Sequence, residues 1–355
     1  MDGGVRKTGV TSSQVAERAG VSQSAVSRSF TPGASIAPET RAKVLAAAKE
    51  LGYRPNAIAR SLTTNRSRIV AVVMAYLDNL FYPDVLEQLG RLLAKEDYRL
   101  LLFTGLADGD SDPVFDQLMQ YRVDGIVLAS TSLSSALSEE CAAAGIPVVL
   151  FNRTTERDAV SSVTTRNREG GRRVAEFLLA GGHKRFGYIA GLESSSTNRD
   201  RLAGYREALA EAGHTEILIE VGNYDRAEAQ AAARKLLTRP DRPDALFVAN
   251  DHMAVAVIDV ARFELGLSIP EDISIVGYDD VGPARWDAYG VTSMSQPHKR
   301  MVEATVEILM SQINSGEIEA EHRVFNGELV VRTSARLPVS GVVEVEGRRV
   351  FRPGR

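Results

Sequence analysis

The residues with the clearest chemistry lie in the stretch TSSQVAERAGVSQSAVSRSF, positions 11–30. This stretch predicts two short helices joined by a tight glycine turn, with the apolar side chains turned inward. On the second helix, Gln23, Ser24, Ser27 and Arg28 share one outward polar face. Such a face suits a helix that lies in the major groove of DNA, where arginine pairs with guanine and glutamine with adenine.

Three helices must position this face, and together they predict a small head over residues 1–55. Thr11 can cap the first helix together with Gln14, and Ser22 can cap the second. The third helix is predicted to begin near Pro38 and to end at a glycine. The apolar positions of the three helices form one small core, which we predict from Val15, Ala16, Ala19, Val26, Phe30, Val44, Leu45, Ala48 and Leu51.

The segment YRPNAIARSLTTNRS follows the head and has few apolar residues. Asn56 can cap a short helix that runs to about Thr63, but a free helix of two turns is marginal in water. We therefore predict that residues 56–67 form a hinge helix and linker. This segment is expected to become ordered only when another surface packs on it.

From Ile69 onward, short apolar runs alternate with amphipathic helices. IVAVVMA, RLLLF, GIVLA and PVVLF form a first series, and FGYIA, ILIEVG, ALFVA and ISIVG form a second. Near-continuous apolar strands separated by helices indicate parallel sheets that are covered on both faces. The predicted fold is therefore a small all-α helix-turn-helix head plus an α/β core of two doubly wound parallel-sheet subdomains.

The predicted core spans residues 68–340, and the chain is expected to cross between the two subdomains near its end. The first subdomain is predicted from 68–163 and 293–325, and the second from 164–290 and 326–340. Residues 341–355 are predicted to be a polar tail, because the segment is short and charged and has no leucine heptad.

The net charge of −4 is distributed unevenly along the 355 residues. Residues 1–66 contain ten Lys/Arg and four Asp/Glu, a charge of +6, whereas residues 67–355 carry −10. This asymmetry is consistent with a basic head that approaches phosphates and an acidic body that they repel. The lone Cys141 is expected to be a buried thiol, and no run approaches the 18 or so apolar residues of a membrane span. We expect a cytoplasmic protein with no membrane partner.

The sequence offers little support for an enzyme. No G-x-x-x-x-G-K loop, G-x-G-x-x-G turn or G-x-S-x-G elbow is present, and the five histidines have no metal-binding spacing. We therefore predict no catalytic residue, no metal site and no cofactor.

Several longer motifs together resemble one family. VAERAGVSQSAVSR, PETRAKVLAAAKELGYRPNAIARSL, VDGIVLAS, IPVVLFNR, RLAGYREAL, ALFVANDHMA and IPEDISIVGYDD with VTSMSQP occur in order over roughly residues 10–338. They resemble the lactose-repressor (LacI/GalR) family of bacterial transcription regulators. The resemblance implies a homodimer with a hinge helix and a core like a periplasmic binding protein, in which a small-molecule effector changes affinity for operator DNA.

The resemblance also implies which residues contact DNA. Gln23, Ser24 and Arg28 fall at the base-reading positions, and Leu62 matches a wedge that enters the minor groove and kinks the duplex. The remaining predicted DNA contacts are suited to phosphates: Thr11, Ser22, Ser27, Asn56 and Arg60. One departure is Ala37, which stands where the family usually has a Ser or Thr cap for the third helix.

For the cleft, the resemblance implies nine ligand-binding residues: Asp78, Asn79, Phe81, Tyr82, Asn152, Arg199, Tyr224, Asn250 and Asp279. Carboxylate, guanidinium and amide groups with aromatic rings suit a sugar-like effector. Some of these residues have a competing structural role. Asn250 can instead cap a helix, Phe81 or Tyr82 can belong to the core, Asp279 can shape a turn, and Arg201 is expected to form a structural ion pair.

Arg166 leaves the charge of the effector open, because family members often carry Asp at this position and a cation there favours an anionic ligand. The predicted function is a ligand-responsive transcriptional regulator, most simply a repressor on a pseudo-palindromic operator. Three alternatives stay open at this point. They are a solute-capture protein that shares the core, a helix-turn-helix head fused to a small-molecule enzyme, and a regulator that is controlled by a protein partner.

Overall fold

The computed structural model describes residues 10–31, 33–54, 66–104, 117–129, 140–141, 143–155 and 159–353. The chain divides into two compact units, residues 1–67 and 68–355. The predicted hinge residues Asn56, Arg60 and Leu62 lie outside the described residues.

The head consists of α1 (Ser12–Ala19), α2 (Gln23–Ser29) and α3 (Pro38–Leu51). The capping box of Thr11 and Gln14 is present at α1, and the Ser22 hydroxyl accepts a hydrogen bond from Ala25 N at α2. No side chain caps α3, whose N-cap residue is Ala37. The predicted helices and caps are confirmed.

The head core joins one face of each helix around the fully buried Val15, Val26 and Val44. Phe30 and Tyr53 close it, with ring centroids 5.7 Å apart. The prediction that Leu45 belongs to this core is wrong, because its side chain is 44% exposed. The helix turns Ala47 inward instead, beside Ala48 and next to Val44.

Strands and helices alternate along most of the core unit. Its strands are β1 (Ile69–Met74), β2 (Arg99–Thr104), β3 (Gly125–Ala129), β4 (Val148–Phe151), β5 (Ser161–Thr165), β6 (Phe186–Ala190), β7 (Ile217–Val221), β8 (Ala245–Val248), β9 (Ser274–Asp279), β10 (Thr292–Ser295), β11 (His322–Phe325), β12 (Leu329–Val330), β13 (Val342–Val345) and β14 (Arg348–Phe351). Its helices are α4 (Phe81–Lys95), α5 (Asn167–Ala180), α6 (Ser196–Glu211), α7 (Arg226–Leu237), α8 (Asp251–Asp259) and α9 (His298–Ser315).

Two sheets organise this unit, as the alternating apolar runs predict. The first has the order β11-β5-β4-β3-β1-β2, with every pair parallel. The second has the order β13-β14-β12-β10-β9-β8-β6-β7, parallel from β7 to β10 and antiparallel at β12 to β14. The chain crosses between the sheets after β5, after β10 and after β11.

The end of the chain differs from its prediction. Residues 341–353 are not a polar tail, because β13 and β14 form a hairpin that extends the second sheet beyond β12. Val350 and Phe351 are buried, and the Phe351 ring lies 5.3 Å from that of Phe177. The hairpin was missed because the valines of β13 stand among charged residues and are not buried, so that only Val350 and Phe351 of the hairpin are covered. The predicted subdomain boundary at 293 also falls inside β10, which pairs with β9 in the second sheet.

Close packing of α5 on α6 fixes the frame of the second subdomain. Gly171 faces the backbone carbonyl of Arg201, and Gly204 faces that of Arg168, so that a Cβ atom at either glycine would overlap the neighbouring helix. Because the two backbones touch here, the side chains of α6 have well-defined directions. Among the described helices, none is both long enough and apolar enough to cross a membrane.

Candidate functional site

The head presents one polar helix face to solvent. Gln23, Ser24, Ser27 and Arg28 are exposed on α2, while Val26 on the opposite side is buried. Gln23 Nε2 donates to Ser12 Oγ at 2.8 Å, and Arg28 Nε donates to the Ser24 carbonyl oxygen at 3.4 Å. The face therefore carries hydrogen-bonding groups of the kind that read base edges in a groove.

The starts of α1 and α2 add sites suited to anions. Thr11 and Ser22 are both exposed N-cap residues, and their hydroxyls accept hydrogen bonds from Gln14 N at 3.4 Å and Ala25 N at 3.2 Å. No acidic residue occupies the first turn of either helix. Helix N-termini of this kind favour phosphate oxygens, because their N–H groups and the positive end of the helix dipole point outward.

The core unit contains a cavity that we call the cleft. It is lined by Tyr76, Asn79, Tyr82, Asn152, Arg153, Thr197, Arg201, Tyr224, Asn250 and Asp279. Most of these residues follow the carboxyl ends of parallel strands, where ligands bind in folds of this kind. The empty volume between the walls, open solvent included, is about 290 Å³.

Several residues that line the cleft have unusual backbone conformations. Tyr76, Asn152 and Tyr224 have φ values of 59°, 58° and 60°, and Asp279 has a φ of 109°. Non-glycine residues rarely adopt positive φ, and the strain persists only where the surrounding structure enforces it. Four such residues around one cavity are typical of a binding site.

Arg201 and Asp279 form the charged centre of the cleft wall. Arg201 is 2% exposed and lies 3.6 Å from an oxygen of Asp279, with its guanidinium carbon 3.5 Å from the Tyr278 ring centroid. It also donates to Asn167 Oδ1 at 2.9 Å and to the Ala249 carbonyl at 2.6 Å. Burial raises the pKa of Asp279, whereas the positive charge of Arg201 opposes that rise.

The amide side chains offer polar atoms to a ligand. Asn152 is 4% exposed, and its Oδ1 has no hydrogen-bond partner among the described residues. Asn250 Oδ1 caps α8 by accepting from Met253 N at 3.0 Å, so this residue both caps a helix and lines the cleft. The amide of Asn152 also lies within hydrogen-bonding reach of the Tyr82 side chain. A buried acceptor without a partner is costly, and a donor from a bound molecule would satisfy Asn152 Oδ1.

Aromatic rings form another part of the wall. Tyr224 and Tyr76 lie 6.5 Å apart edge to face, and the Tyr224 hydroxyl is 3.3 Å from Thr197 Oγ1. Gly191 makes room for Tyr224, because a Cβ atom at that position would overlap the tyrosine ring. Burial raises the pKa of Tyr82, so its hydroxyl stays protonated and can act as a donor.

Three of the nine predicted ligand residues are not among the residues that line the cleft. Arg199 is exposed and donates to the Ser194 carbonyl at 2.7 Å. Asp78 lies 3.4 Å from His252 Nε2, and both residues line a neighbouring pocket. Phe81 is a core residue that stacks on Phe151 at 6.3 Å.

Four lining residues were missed by the sequence analysis: Tyr76, Arg153, Thr197 and Arg201. Helical spacing could have found one pair, since Thr197 and Arg201 are four residues apart on α6 and share a face that Arg199 does not. Arg201 does form the expected ion pair, but within the cleft wall. Nothing local in the sequence distinguishes Tyr76 or Arg153 from other loop residues.

Hydrogen bonds connect the cleft to the crossings between the two sheets. Gln296, which follows β10, donates to Asp279 Oδ1 at 2.7 Å and accepts from Thr165 Oγ1 at 3.2 Å. Ser295 N donates to the Glu328 carbonyl at 2.8 Å, and this bond connects the crossing after β10 with the crossing after β11. These hydrogen bonds join Asp279 to the segments that cross between the two sheets.

Within the described residues, no group of three His, Cys, Asp or Glu side chains could hold a metal ion. Cys141 is buried as expected, and burial raises the pKa of its thiol to about 12. A thiol with such a pKa is a poor nucleophile at neutral pH.

Comparisons with known proteins agree with the two-part organisation. Residues 13–56 match the lacI family of bacterial regulatory proteins, and residues 175–335 match a periplasmic binding protein-like domain. The HTH-type transcriptional regulator CelR of Thermobifida fusca is 34% identical over 338 residues, which covers 93% of this chain and 99% of CelR. The HTH-type transcriptional repressor PurR of Photobacterium profundum is 31% identical over 334 residues, which covers 92% of this chain and 98% of PurR.

Solved structures give the same result. A complex of CelR with cellobiose matches with a TM-score of 0.70 at 32% identity, covering 92% of this chain and 100% of that chain. The Lac repressor dimer bound to operator and the anti-inducer ONPF matches with a TM-score of 0.81 at 26% identity, covering 92% of this chain and 99% of that chain.

A helix-turn-helix head that precedes a two-sheet core with a polar cleft defines a class of DNA-binding regulators that respond to small molecules. The chain belongs to the LacI family of bacterial regulatory proteins. It is a ligand-responsive, DNA-binding regulator of transcription.

Proposed function

We propose that this protein is a dimeric repressor that acts in the bacterial cytoplasm and binds a pseudo-palindromic operator. An effector in the cleft raises or lowers its affinity for that operator. The observation that carries this proposal is the cleft itself. It combines positive-φ residues, a buried ion pair and the unpartnered Asn152 Oδ1 at the ends of parallel strands, within the part of the chain that the structure describes. These are features of a site built for a small polar molecule.

The effector is proposed to be a sugar or sugar derivative. Asn79, Asn152 and Asn250 supply amide groups, and Tyr82 and Tyr224 supply rings and hydroxyls, which suits hydroxyl-rich ligands. The relative CelR has been solved in complex with cellobiose, which supports a carbohydrate. The proposed binding set also contains Tyr76, Thr197, Arg201 and Asp279.

On the DNA side, Gln23, Ser24 and Arg28 are proposed to read bases, and Thr11, Ser22 and Ser27 to contact the backbone. The proposal also includes Leu62 as a minor-groove wedge, with Asn56 and Arg60 on phosphates. Two heads are needed to read two half-sites, and the Lac repressor structure of a dimer on operator supports this arrangement.

The proposed switch uses motion between the two subdomains. The space between the cleft walls is about 290 Å³ with open solvent included, and we propose that the walls separate to admit a sugar. Asp279, Gln296 and Thr165 link the cleft to the crossing segments, so occupancy biases their arrangement. A coupling of about 1–3 kcal/mol would change operator affinity about 5- to 150-fold. We further propose that the effector is bound and released without chemical change.

The test uses the full chain. Sugars, sugar acids, sugar phosphates and nucleobases are screened for an increase in Tm, and each ligand found is added to an operator-binding titration. We expect ligands that stabilise the core to change operator affinity. Operator binding that ignores every such ligand, or turnover of a bound ligand, would contradict the proposal.

A matched pair of variants locates the response. Asn152→Gly removes the unpartnered acceptor of the described cleft, and glycine tolerates the local φ of 58° without strain, so the fold should be retained while the response is lost. Arg199→Gln changes an exposed side chain outside the cleft and should respond as the native protein does. An Asn152→Gly variant with a full response would place the effector elsewhere.

A further inference from the structure

Arg153 is a second buried arginine in the cleft wall. It follows β4, is 7% exposed and lines the cavity. Its Nη1 donates to the Asn152 carbonyl at 2.8 Å and to Thr197 Oγ1 at 3.0 Å, and its guanidinium carbon lies 6.0 Å from the Tyr224 ring centroid. These partners are neutral, so they satisfy hydrogen bonds without balancing the charge.

Arg153 differs from Arg201 in its counter-charge. Arg201 faces Asp279 at 3.6 Å, whereas no Asp or Glu of the described residues forms an ion pair with Arg153. The charge of Asp279 also attracts Arg153, but Asp279 lies closer to Arg201 and accepts from Gln296 Nε2 at 2.7 Å, so one carboxylate of the cleft lining faces two arginines. A buried guanidinium without a carboxylate in direct contact is unfavourable, and its cost is relieved when an anion binds next to it.

The charge of the cleft limits which anion fits. Two arginines and one aspartate line it, a net charge of +1. A carboxylate carries one negative charge and matches the planar guanidinium in shape, with two parallel hydrogen bonds. A phosphate monoester carries about −1.5 to −2 at neutral pH, which exceeds the charge available.

We propose that the effector is a sugar acid whose single carboxylate binds Arg153. This inference rests on the proposed function, because it names the chemical class of the effector in the same cleft. The cation that selects the acid is Arg153 and not Arg166, which is exposed and is not among the residues that line the cleft.

The experiment compares matched neutral and acidic ligands by isothermal titration of the full chain. The pairs are glucose with glucuronate, galactose with galacturonate, and cellobiose with cellobionate, with glucose 6-phosphate as the dianion. We expect at least one acid to bind about 10- to 150-fold more tightly than its neutral partner, the factor that charge-assisted hydrogen bonds supply.

Two variants connect the preference to one side chain. Arg153→Gln should bring the acid and its neutral partner to similar affinities, while Arg153→Lys, which keeps the charge but not the fork, should retain part of the preference. Arg199→Gln removes the same charge outside the cleft and should keep the full preference. Native circular dichroism and DNA binding by each variant exclude a folding defect.

The outcomes separate this inference from the proposed function. Equal or tighter binding of neutral sugars overturns the sugar-acid inference but leaves the regulated cleft intact. Tighter binding of glucose 6-phosphate overturns the assignment to a carboxylate. Failure of every acid to bind also overturns it, whereas the proposed function fails only if no small molecule changes operator affinity.

Discussion

Two separate variants, Arg201→Gln and Arg199→Gln, compare the loss of a positive charge inside the cleft wall with the same loss outside it. Both residues lie on α6 and both changes remove one positive charge. Arg201 is 2% exposed and contacts Asp279, Asn167 and the Ala249 carbonyl. Arg199 is exposed and donates only to Ser194, within the residues that the structure describes.

The expected magnitudes follow from burial. Arg201→Gln leaves the Asp279 carboxylate buried without its cation, and breaking such a pair costs about 3–5 kcal/mol of the free energy of unfolding. Arg199→Gln removes an exposed contact, and its effect should stay within about 0.5 kcal/mol. The double variant Arg201→Gln/Asp279→Asn should recover much of the loss, because it removes the uncompensated charge.

The assay is urea unfolding of the full chain, followed by circular dichroism at two pH values. In Arg201→Gln, Asp279 loses the charge that opposes the burial-driven rise of its pKa, so its folded-state pKa rises further. A raised carboxyl pKa makes the folded state relatively more stable where the group is protonated. The destabilisation should therefore shrink as the pH falls from about 7 towards about 5.

The reasoning would be refuted by equal destabilisation from the two single substitutions. It would also be refuted if Asp279→Asn gave no recovery in the double variant, because the buried charge would then not be the cause of the loss.

Three further predictions concern other parts of the chain. Ala37→Ser supplies the missing cap of α3 and should stabilise the head by about 1 kcal/mol. The measurement is hydrogen exchange of the α3 amides, which should become slower. Unchanged exchange would contradict this prediction. Gly191→Ala should displace Tyr224 and abolish the effector-induced rise in Tm. The control Gly282→Ala, whose Cβ meets no atom within 4 Å among the described residues, should leave that rise unchanged. A normal rise in Tm for Gly191→Ala would argue against this role of Tyr224. Arg28→Ala should relax operator specificity at one position by about 1–3 kcal/mol, measured on duplexes that differ by single base pairs; uniform weakening on all duplexes would mean that Arg28 contacts only phosphate.

The head was predictable because its determinants are local. The caps at Thr11 and Ser22, the glycine ends of α1 and α3 and the spacing of Val15, Val26 and Val44 all lie within a few residues of the features that they specify. The error at Leu45 arose because Ala47 and Leu45 both fit an apolar stripe in sequence. Only the position of α1 and α2 on α3 decides which of the two is covered.

The two sheets were predictable for a related reason. Strands that are buried on both faces must be apolar throughout, so the runs IVAVVM and GIVLA stand out against the helices between them. The hairpin of β13 and β14 had no such signal, because it lies at the edge of the second sheet and only Val350 and Phe351 are buried in it.

The amino-acid sequence by itself therefore determined the helices of the head, the strands of the core and the family to which the chain belongs. It also identified six of the nine expected ligand residues as lining the cleft, since these residues follow strand ends directly or at a short distance. The tertiary structure alone decided that Arg201 and not Arg199 lines the cavity, and that Arg153 lies there without a direct ion pair to a described carboxylate. The physical reason is that a cavity wall is assembled from loops far apart in the chain, and the rotation of each side chain about its helix or loop is fixed only when those segments pack together.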